Sequence, residues 1–242
     1  PRVRRQRQMC IRDSQEGGAD MAQVGNKSGV RVDISHMSVM MRRKKILDDL
    51  SLSFVSPNIY GIVGPNGSGK TVFLKAMLGF IRLVSGSVTM NEVPIDPRRA
   101  FPISVGAIIE HPGFMNDMSG HDNLLALGQI RSQLDDEAIH AVMTRVGLPD
   151  DKKPVATYSL GMIQRLGIAQ AIMEDQEFIV LDEPTNALDR EGIVFLTELL
   201  KELRDQGKLV LIATHDLLWL QSLADQIFEL SNGKLQQVED VV

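Results

Sequence analysis

The sequence predicts an α/β fold with a mostly parallel sheet, an antiparallel β subdomain and an inserted α-helical subdomain. Short apolar runs, of the kind that fill buried parallel strands, lie at 59–63, 178–182 and 208–213. Helical patterns follow these runs, and alternating strands and helices are typical of a parallel sheet covered on both faces. Residues 30–60 alternate apolar and polar side chains, which favours strands with one solvated side. From about 114 to 160 the pattern is mainly helical, which predicts the insertion.

Length and composition are ordinary for one large α/β domain or two small ones. The 242 residues are 43% hydrophobic and 24% charged, with a formal net charge of −5. This balance argues against a protein built to coat nucleic acid. The single Cys10 excludes an internal disulfide framework and fits a reducing compartment. Since no run approaches 18 consecutive apolar residues, we expect no membrane span, and any role at a membrane would require a partner.

Residues 1–29 differ in composition from the rest of the chain. Five arginines crowd the first twelve positions, and Gly17 and Gly18 follow them. This composition predicts a disordered basic tail ahead of a folded domain at 30–242. We interpret Met21 as the natural start, with an arm that binds anionic lipids as the alternative. We therefore expect that deleting residues 1–20 leaves the activity of the folded domain intact.

Strand signals dominate the first half of the folded region. The run Arg42-Arg43-Lys44-Lys45 separates two alternating segments, and we interpret it as a solvated hairpin tip, with a nucleic-acid patch as the alternative. Val88 and Met90 alternate with polar residues, which predicts another antiparallel strand at 85–90. The apolar residues from Val105 to Ile109 predict a further strand.

Helix signals dominate from residue 114 onward. Ser119 and Asp122 resemble a capping box, and the acidic run 135–137 loads the first turn of a second helix, which ends at Gly147. We expect Leu217, Leu218 and Trp219 to pack a helix on the sheet. The remaining predicted elements are helices at 161–173, 190–206 and 216–223 and a terminal hairpin that turns at Asn232-Gly233.

A phosphate-binding motif stands between the strand at 59–63 and a helical pattern that begins near Lys70. It reads Gly64-Pro65-Asn66-Gly67-Ser68-Gly69-Lys70-Thr71, a complete G-x-x-x-x-G-K-[ST] run. The glycines let successive N–H groups surround phosphate oxygens, Lys70 adds a positive charge for the β- and γ-phosphates, and Thr71 offers a hydroxyl to Mg²⁺. Strand, loop and helix is the arrangement that this chemistry requires. The sequence therefore predicts a P-loop NTPase.

Two acids follow one another at the end of the apolar strand 178–182. A carboxylate there is costly unless a positive charge faces it, and Mg²⁺ held jointly by Asp182 and Thr71 would supply that charge. Glu183 lies on the opposite side of the strand, where it can polarise a water for attack on the γ-phosphate. The run Asp-Glu-Pro is also typical of a polar turn, but the phosphate-binding loop upstream favours a metal and catalytic site.

Three later segments carry a family resemblance. Tyr158-Ser159-Leu160-Gly161-Met162 resembles the Leu-Ser-Gly-Gly-Gln signature of the ATP-binding cassette (ABC) family, with Ser159 and Gly161 in agreement. The segment 186–189 resembles the D loop of that family, and His215 resembles its switch histidine. The order and spacing of the motifs agree from about residue 30 to residue 235, which is far more specific than any single motif.

The resemblance implies an ABC ATP-binding domain at 30–242 that hydrolyses ATP with Mg²⁺. In the family, two cassettes sandwich two ATP molecules, and the signature segment of each caps the nucleotide of the other. By this resemblance, Ser159 and Gly161 cap the ATP of a second cassette, which is a copy of this chain or a close relative. His215 then contacts the γ-phosphate, and Glu183 acts as general base or water polariser.

Three features depart from the family pattern, and one of them is the signature itself, in which Tyr158, Leu160 and Met162 differ. Glu110 stands where the Q loop normally offers a glutamine, and it can still reach Mg²⁺ or the attacking water, as an acceptor only. The alternative is that Glu110 is an ordinary loop acid. Met41 aligns with the aromatic residue that usually stacks on adenine, and a thioether covers a base less strongly than a ring does.

The run Ile-Glu-x-Pro-Gly-Phe at 109–114, together with Tyr-Ser-Leu-Gly-Met-x-Gln-Arg-Leu at 158–166, resembles one branch of the family, the ATPases of bacitracin- and lantibiotic-type export or self-protection in bacteria. The branch implies a peripheral subunit on the cytoplasmic face of the cell membrane, docked on a separate transmembrane permease, which exports a peptide antibiotic or similar amphipathic compound. No nucleic-acid partner is expected. The alternatives are a non-transport ABC ATPase that acts on ribosomes or DNA, and a regulatory subunit that binds ATP but hydrolyses it poorly.

Overall fold

The computed structural model describes residues 29–131 and 134–238. The predicted tail at 1–29 lies outside these residues, apart from Gly29. The strands are β1 (Arg31–Met41), β2 (Lys44–Val55), β3 (Asn58–Val63), β4 (Ser85–Met90), β5 (Val93–Pro94), β6 (Val105–Ile108), β7 (Phe178–Asp182), β8 (Leu209–Thr214), β9 (Gln226–Ser231) and β10 (Lys234–Gln237). The helices are α1 (Lys70–Met77), α2 (Gly120–Arg131), α3 (Asp136–Arg145), α4 (Leu160–Ile172), α5 (Arg190–Asp205) and α6 (Leu217–Gln221), with a 3-10 turn at Val155–Thr157.

The larger sheet has the strand order β10-β9-β3-β8-β7-β6. All its neighbouring strands run parallel except the terminal hairpin of β9 and β10, which turns at Asn232-Gly233 as predicted. Successive residues of the central strands alternate between two hydrophobic cores. Ile59 packs in a core with the helical layer, and Tyr60 packs in a core with α1 and the smaller sheet. Because both faces of these strands are buried, residues of either face are apolar, and the sequence of each strand is a continuous apolar run.

The smaller sheet is antiparallel, with the order β2-β1-β4-β5. Met41 pairs with Lys44 across a turn at Arg42 and Arg43, which confirms the predicted hairpin tip. The two-residue strand β5 was not predicted, because so short a segment carries no periodicity. The predicted α/β fold with a parallel and an antiparallel sheet is confirmed.

The interval 114–160 contains α2, α3 and the 3-10 turn, and its description as a separate subdomain stays a prediction. The N-cap half of the predicted capping box is present, because the Asp122 N–H donates to Ser119 Oγ at 3.0 Å. The second contact joins the two side chains, with Ser119 Oγ donating to Asp122 Oδ2 at 2.7 Å. Asp135 is the N-cap of α3, accepting from the Ala138 N–H at 2.9 Å.

The expectation for the last helix is partly wrong. Trp219 is buried, but Leu218 is 79% exposed, because the short α6 turns only one face toward the core. Among the residues described here, none of the helices combines the length and the apolar character that a bilayer crossing demands.

Candidate functional site

The larger sheet brings the phosphate-binding loop and the predicted residues Glu110, Asp182, Glu183 and His215 to one edge. Parallel strands end at the same edge, and the central strand β3 runs directly into the phosphate-binding loop at Gly64. Beside it, β8 leads into His215, β7 ends at Asp182 before Glu183, and β6 leads through Ile109 to Glu110. Four segments far apart in sequence therefore converge because the strand order is β3-β8-β7-β6.

The phosphate-binding loop closes onto the start of α1. Gly67 and Gly69 have φ angles of +82° and +109°, in the region that favours glycine, and Gly69 is the N-cap of the helix. Lys70 is 5% exposed and donates from Nζ to the Gly64 carbonyl oxygen at 2.7 Å. The loop therefore presents the N-terminal end of α1 together with a buried ammonium group, and both features favour an anion.

Three donors surround the carboxylate of Glu183. Its Oε1 lies 3.1 Å from Lys70 Nζ, and its Oε2 lies 2.9 Å from His215 Nδ1 and 3.1 Å from Thr214 Oγ1. Burial raises the pKa of Glu183, but the hydrogen bonds from His215 and Lys70 and the charge of Lys70 outweigh it, so the pKa lies below its usual value. Glu183 is therefore held ionised at the mouth of the loop.

Asp182 has the opposite electrostatic character. Thr71 Oγ1 donates to Asp182 Oδ2 at 2.6 Å, whereas the buried Oδ1 has no hydrogen-bond partner within the described parts of the chain. Burial raises the pKa of Asp182, and the hydrogen bond from Thr71 opposes that shift only in part. A buried carboxylate with an unsatisfied oxygen beside a threonine hydroxyl is a donor set that suits Mg²⁺.

Glu110 follows β6 with a φ of +63°, a backbone conformation that is uncommon for a residue other than glycine. Its Oε1 lies 2.7 Å from Nζ of Lys75, which belongs to α1. The backbone N–H of Glu110 acts on the Asp182 carboxyl and lowers its pKa. Glu110 is thus placed next to the predicted metal ligands, although its side chain is 60% exposed.

The predicted base-stacking residue lies at the rim of the site. A cavity of about 360 Å³ opens between the hairpin tip at 44–46, the loop residues 65–68 and the turn at 231–233. Met41 is 45% exposed and pairs with Lys44, which lines this cavity, but Met41 does not line the cavity itself. Its contact with adenine stays a prediction.

The signature segment forms a second surface. Ser159 is the N-cap of α4, and its Oγ accepts from the Met162 N–H at 3.2 Å. A Cβ at Gly161 would come 2.9 Å from the Ala187 carbonyl oxygen, so this helix start touches the segment that resembles the D loop. The two segments line one open groove, and Leu160 beside them is 74% exposed.

Two residues of this site were missed by sequence reasoning. Thr214 donates to Glu183, and its position directly before His215 was an available signal. Lys75 pairs with Glu110, and its only sequence signal was its place four residues after Thr71 on the same helix face.

The comparisons agree with this geometry. Residues 47–186 match the ABC transporter family. The uncharacterized ABC transporter ATP-binding protein YybJ of Bacillus subtilis (strain 168) is 35% identical over 212 residues, covering 87% of this chain and 97% of the relative. The lantibiotic transport ATP-binding protein SrtF of Streptococcus pyogenes is 32% identical over 203 residues, covering 84% and 87%.

A solved dimeric structure of a bacterial ABC transporter cassette, MJ0796, superimposes with a TM-score of 0.79 at 20% identity, covering 87% of this chain and 99% of that one. This likeness supports the fold, and the sequence relatives are ATP-binding proteins of transporters rather than factors that act on ribosomes or DNA. The chain belongs to the ABC transporter family and is an ATP-binding subunit with ATPase chemistry.

Proposed function

We propose that this chain hydrolyses Mg²⁺-bound ATP as one half of a cassette dimer and thereby drives a separate membrane permease. The contact of Lys70 and His215 with the two oxygens of Glu183 carries the proposal. The contact holds Glu183 against Lys70, which supports the assignment of Glu183 as the catalytic acid and of Lys70 as the residue that receives the terminal phosphates. An attacking water held by Glu183 would therefore face the γ-phosphate.

The electrostatics of Glu183 favour water orientation over strong base catalysis. A carboxylate with a lowered pKa is a weak base, so its main contribution is to accept a hydrogen bond from the water and align it. His215 is 54% exposed and holds Oε2, which fixes the direction of that carboxylate. Lys70 serves the phosphate and restrains Oε1 from the opposite side.

The metal ligands in this proposal are Thr71 and Asp182, with Glu110 as a further acceptor beside them. Mg²⁺ held by these residues would supply the positive charge that neutralises charge developing on the phosphates during transfer. The assignment is supported by Asp182 Oδ1, which is buried and finds no hydrogen-bond partner among the residues that the structure describes. Asp182 would gain a counter-charge that offsets its burial.

The open groove at Ser159 and Gly161 supports a dimer. The Ser159 oxygen accepts a hydrogen bond within its own helix, which leaves its O–H proton free to donate to an anion from outside. The N-terminal end of α4 adds a positive dipole. We propose that this surface caps the ATP of the second cassette.

The relationship to a lantibiotic transport protein supports a role in exporting a peptide antibiotic or similar amphipathic compound. In this role the chain is peripheral at the cytoplasmic face of the membrane. The test is co-purification of the tagged full chain from membranes, followed by ATP turnover with and without Mg²⁺. Recovery with a polytopic membrane subunit and Mg²⁺-dependent turnover are expected. Recovery with ribosomes or DNA alone would contradict the transport role.

A further inference from the structure

We propose that Lys75 is a positioning residue of the nucleotide site, which holds the Glu110 carboxylate beside the metal ligands and cancels its charge. The inference rests on the proposed function, because it takes Glu110 to face the phosphates. Lys75 lies on α1 but outside the phosphate-binding motif at 64–71, so this role is additional to those of the motif.

The contact itself is short and asymmetric. Lys75 Nζ lies 2.7 Å from Glu110 Oε1, and the lysine side chain is 28% exposed whereas the glutamate side chain is 60% exposed. The lysine is thus the more enclosed member and belongs to a regular helix, while the glutamate follows a strand end with a φ of +63°. Lys75 on α1 therefore restrains the segment after β6 that carries Glu110.

The topology places this pair at the predicted metal site. Thr71 and Lys75 are four residues apart on α1 and share one helix face. Their partners lie at the ends of adjacent parallel strands, since Asp182 is the last residue of β7, Glu110 comes two residues after β6, and Ile108 pairs with Leu181. Two side-chain contacts, Thr71 with Asp182 and Lys75 with Glu110, therefore join one helix face to two neighbouring strand ends.

The charges explain why such a partner is needed. Three carboxylates, those of Glu110, Asp182 and Glu183, meet at the edge that receives a polyanionic triphosphate. Lys70 compensates Glu183, and the metal would compensate Asp182. Lys75 is the cation that faces Glu110. With Lys75 neutralised, Glu110 would repel the nucleotide, whereas a neutral glutamine at the same position would not.

The experiment is a double-mutant cycle read by nucleotide binding without turnover. Fluorescence titration with trinitrophenyl-ATP in EDTA is carried out on the full chain, K75M, E110Q and the K75M/E110Q double variant. Because exposed ion pairs are worth little, we expect K75M to weaken binding by about three- to fivefold at low salt. In the E110Q background, adding K75M should change the affinity for trinitrophenyl-ATP by less than about 1.5-fold.

Controls separate positioning from simple destabilisation. K75R keeps the charge and should restore binding, and K201M removes a comparable lysine that pairs with Glu198 at 3.6 Å on α5 and should leave binding unchanged. If K75M does not fold, K75Q takes its place in the same cycle. An equal loss in both backgrounds would overturn the role of Lys75 alone. No binding by the unsubstituted chain would overturn the proposed function together with this inference.

Discussion

Lys70 and Glu183 form an ion pair in which Nζ of the lysine lies 3.1 Å from Oε1 of the glutamate. The side chains are 5% and 19% exposed, so water screens the contact only weakly. The pair links the phosphate-binding loop to the acid at the end of β7. Each residue is therefore the counter-charge of the other. Because only Lys70 lies in the phosphate-binding loop, substitutions at the two positions should have different consequences.

Glu183→Gln should separate binding from hydrolysis. The amide keeps the size of the side chain and its contacts with His215 and Thr214, but it removes the charge that orients the attacking water. We expect turnover to fall by about 10²- to 10⁴-fold, with ATP binding retained and an ATP-bound dimer accumulating. Steady-state turnover and size-exclusion chromatography with ATP measure the two effects. Undiminished turnover would contradict the role of Glu183.

Lys70→Ala should abolish ATP binding. The change removes the only charge that the loop motif itself offers to the terminal phosphates, and it leaves the Glu183 carboxylate to repel them. Equilibrium binding of a fluorescent ATP analogue is the measurement. Lys153→Ala is the control, because that lysine is 72% exposed and pairs with Asp151. Matching affinities in the two variants would refute the phosphate-binding role.

A substitution of Ser159 that preserves the helix cap should leave the stability of the monomer unchanged but should prevent ATP-dependent dimerisation. Aspartate caps helices as well as serine does, so Ser159→Asp should keep α4 stable, whereas Ser159→Ala should cost about 1 kcal/mol. Aspartate nevertheless lacks a proton to donate and would repel a phosphate, so ATP-dependent dimerisation should be lost. Thermal unfolding and light scattering with ATP measure the two effects. An intact ATP dimer of Ser159→Asp would rule out the capping role.

Gly106→Ala should destabilise the fold. A Cβ at this position of β6 would overlap the Ala171 carbonyl oxygen of α4, so the strand and the helix would have to move apart. We expect a loss of about 2–3 kcal/mol in the free energy of unfolding, measured by urea denaturation. Gly113→Ala is the matched control, since a Cβ there meets none of the described atoms within 4 Å, its chain neighbours aside. Equal unfolding midpoints for the two variants would contradict this packing.

His121 should make stability depend on pH. Its Nε2 lies 2.9 Å from Asp136 Oδ1 and its Nδ1 lies 3.0 Å from Asp150 Oδ1, and His140 also contacts Asp150 at 2.7 Å. Burial lowers the pKa of His121, but the two carboxylates outweigh it and raise the pKa above its ordinary 6.5.

The folded state therefore binds the His121 proton more tightly than the unfolded chain does. The stabilisation is fully present below pH 6.5 and is lost as pH rises through the raised pKa. The difference in melting temperature between the unsubstituted chain and His121→Gln should accordingly shrink as pH rises from 6.5 through the raised pKa of His121. A difference that stays constant over this range would exclude the linkage.

Much of the fold follows from local signals. The strand at 178–182 was predicted with the bounds that the structure has, because a buried parallel strand is continuously apolar and ends where polar residues begin. The helix at 190–206 differs from α5 by one residue, because its apolar positions repeat with helical spacing between Asp189 and Gly207. The short elements β5 and α6 were missed or misread, since they have too few residues to show a period.

The sequence by itself determined the phosphate-binding loop, the two acids at the end of β7 and the histidine after β8, because each is a local pattern of residue types beside a strand. Only the tertiary structure decided which of these residues touch. The pairing of Lys70 with Glu183, and of Lys75 with Glu110, depends on the strand order β3-β8-β7-β6. That order arises from packing between segments far apart in the chain, and such contacts leave no periodic trace in the sequence.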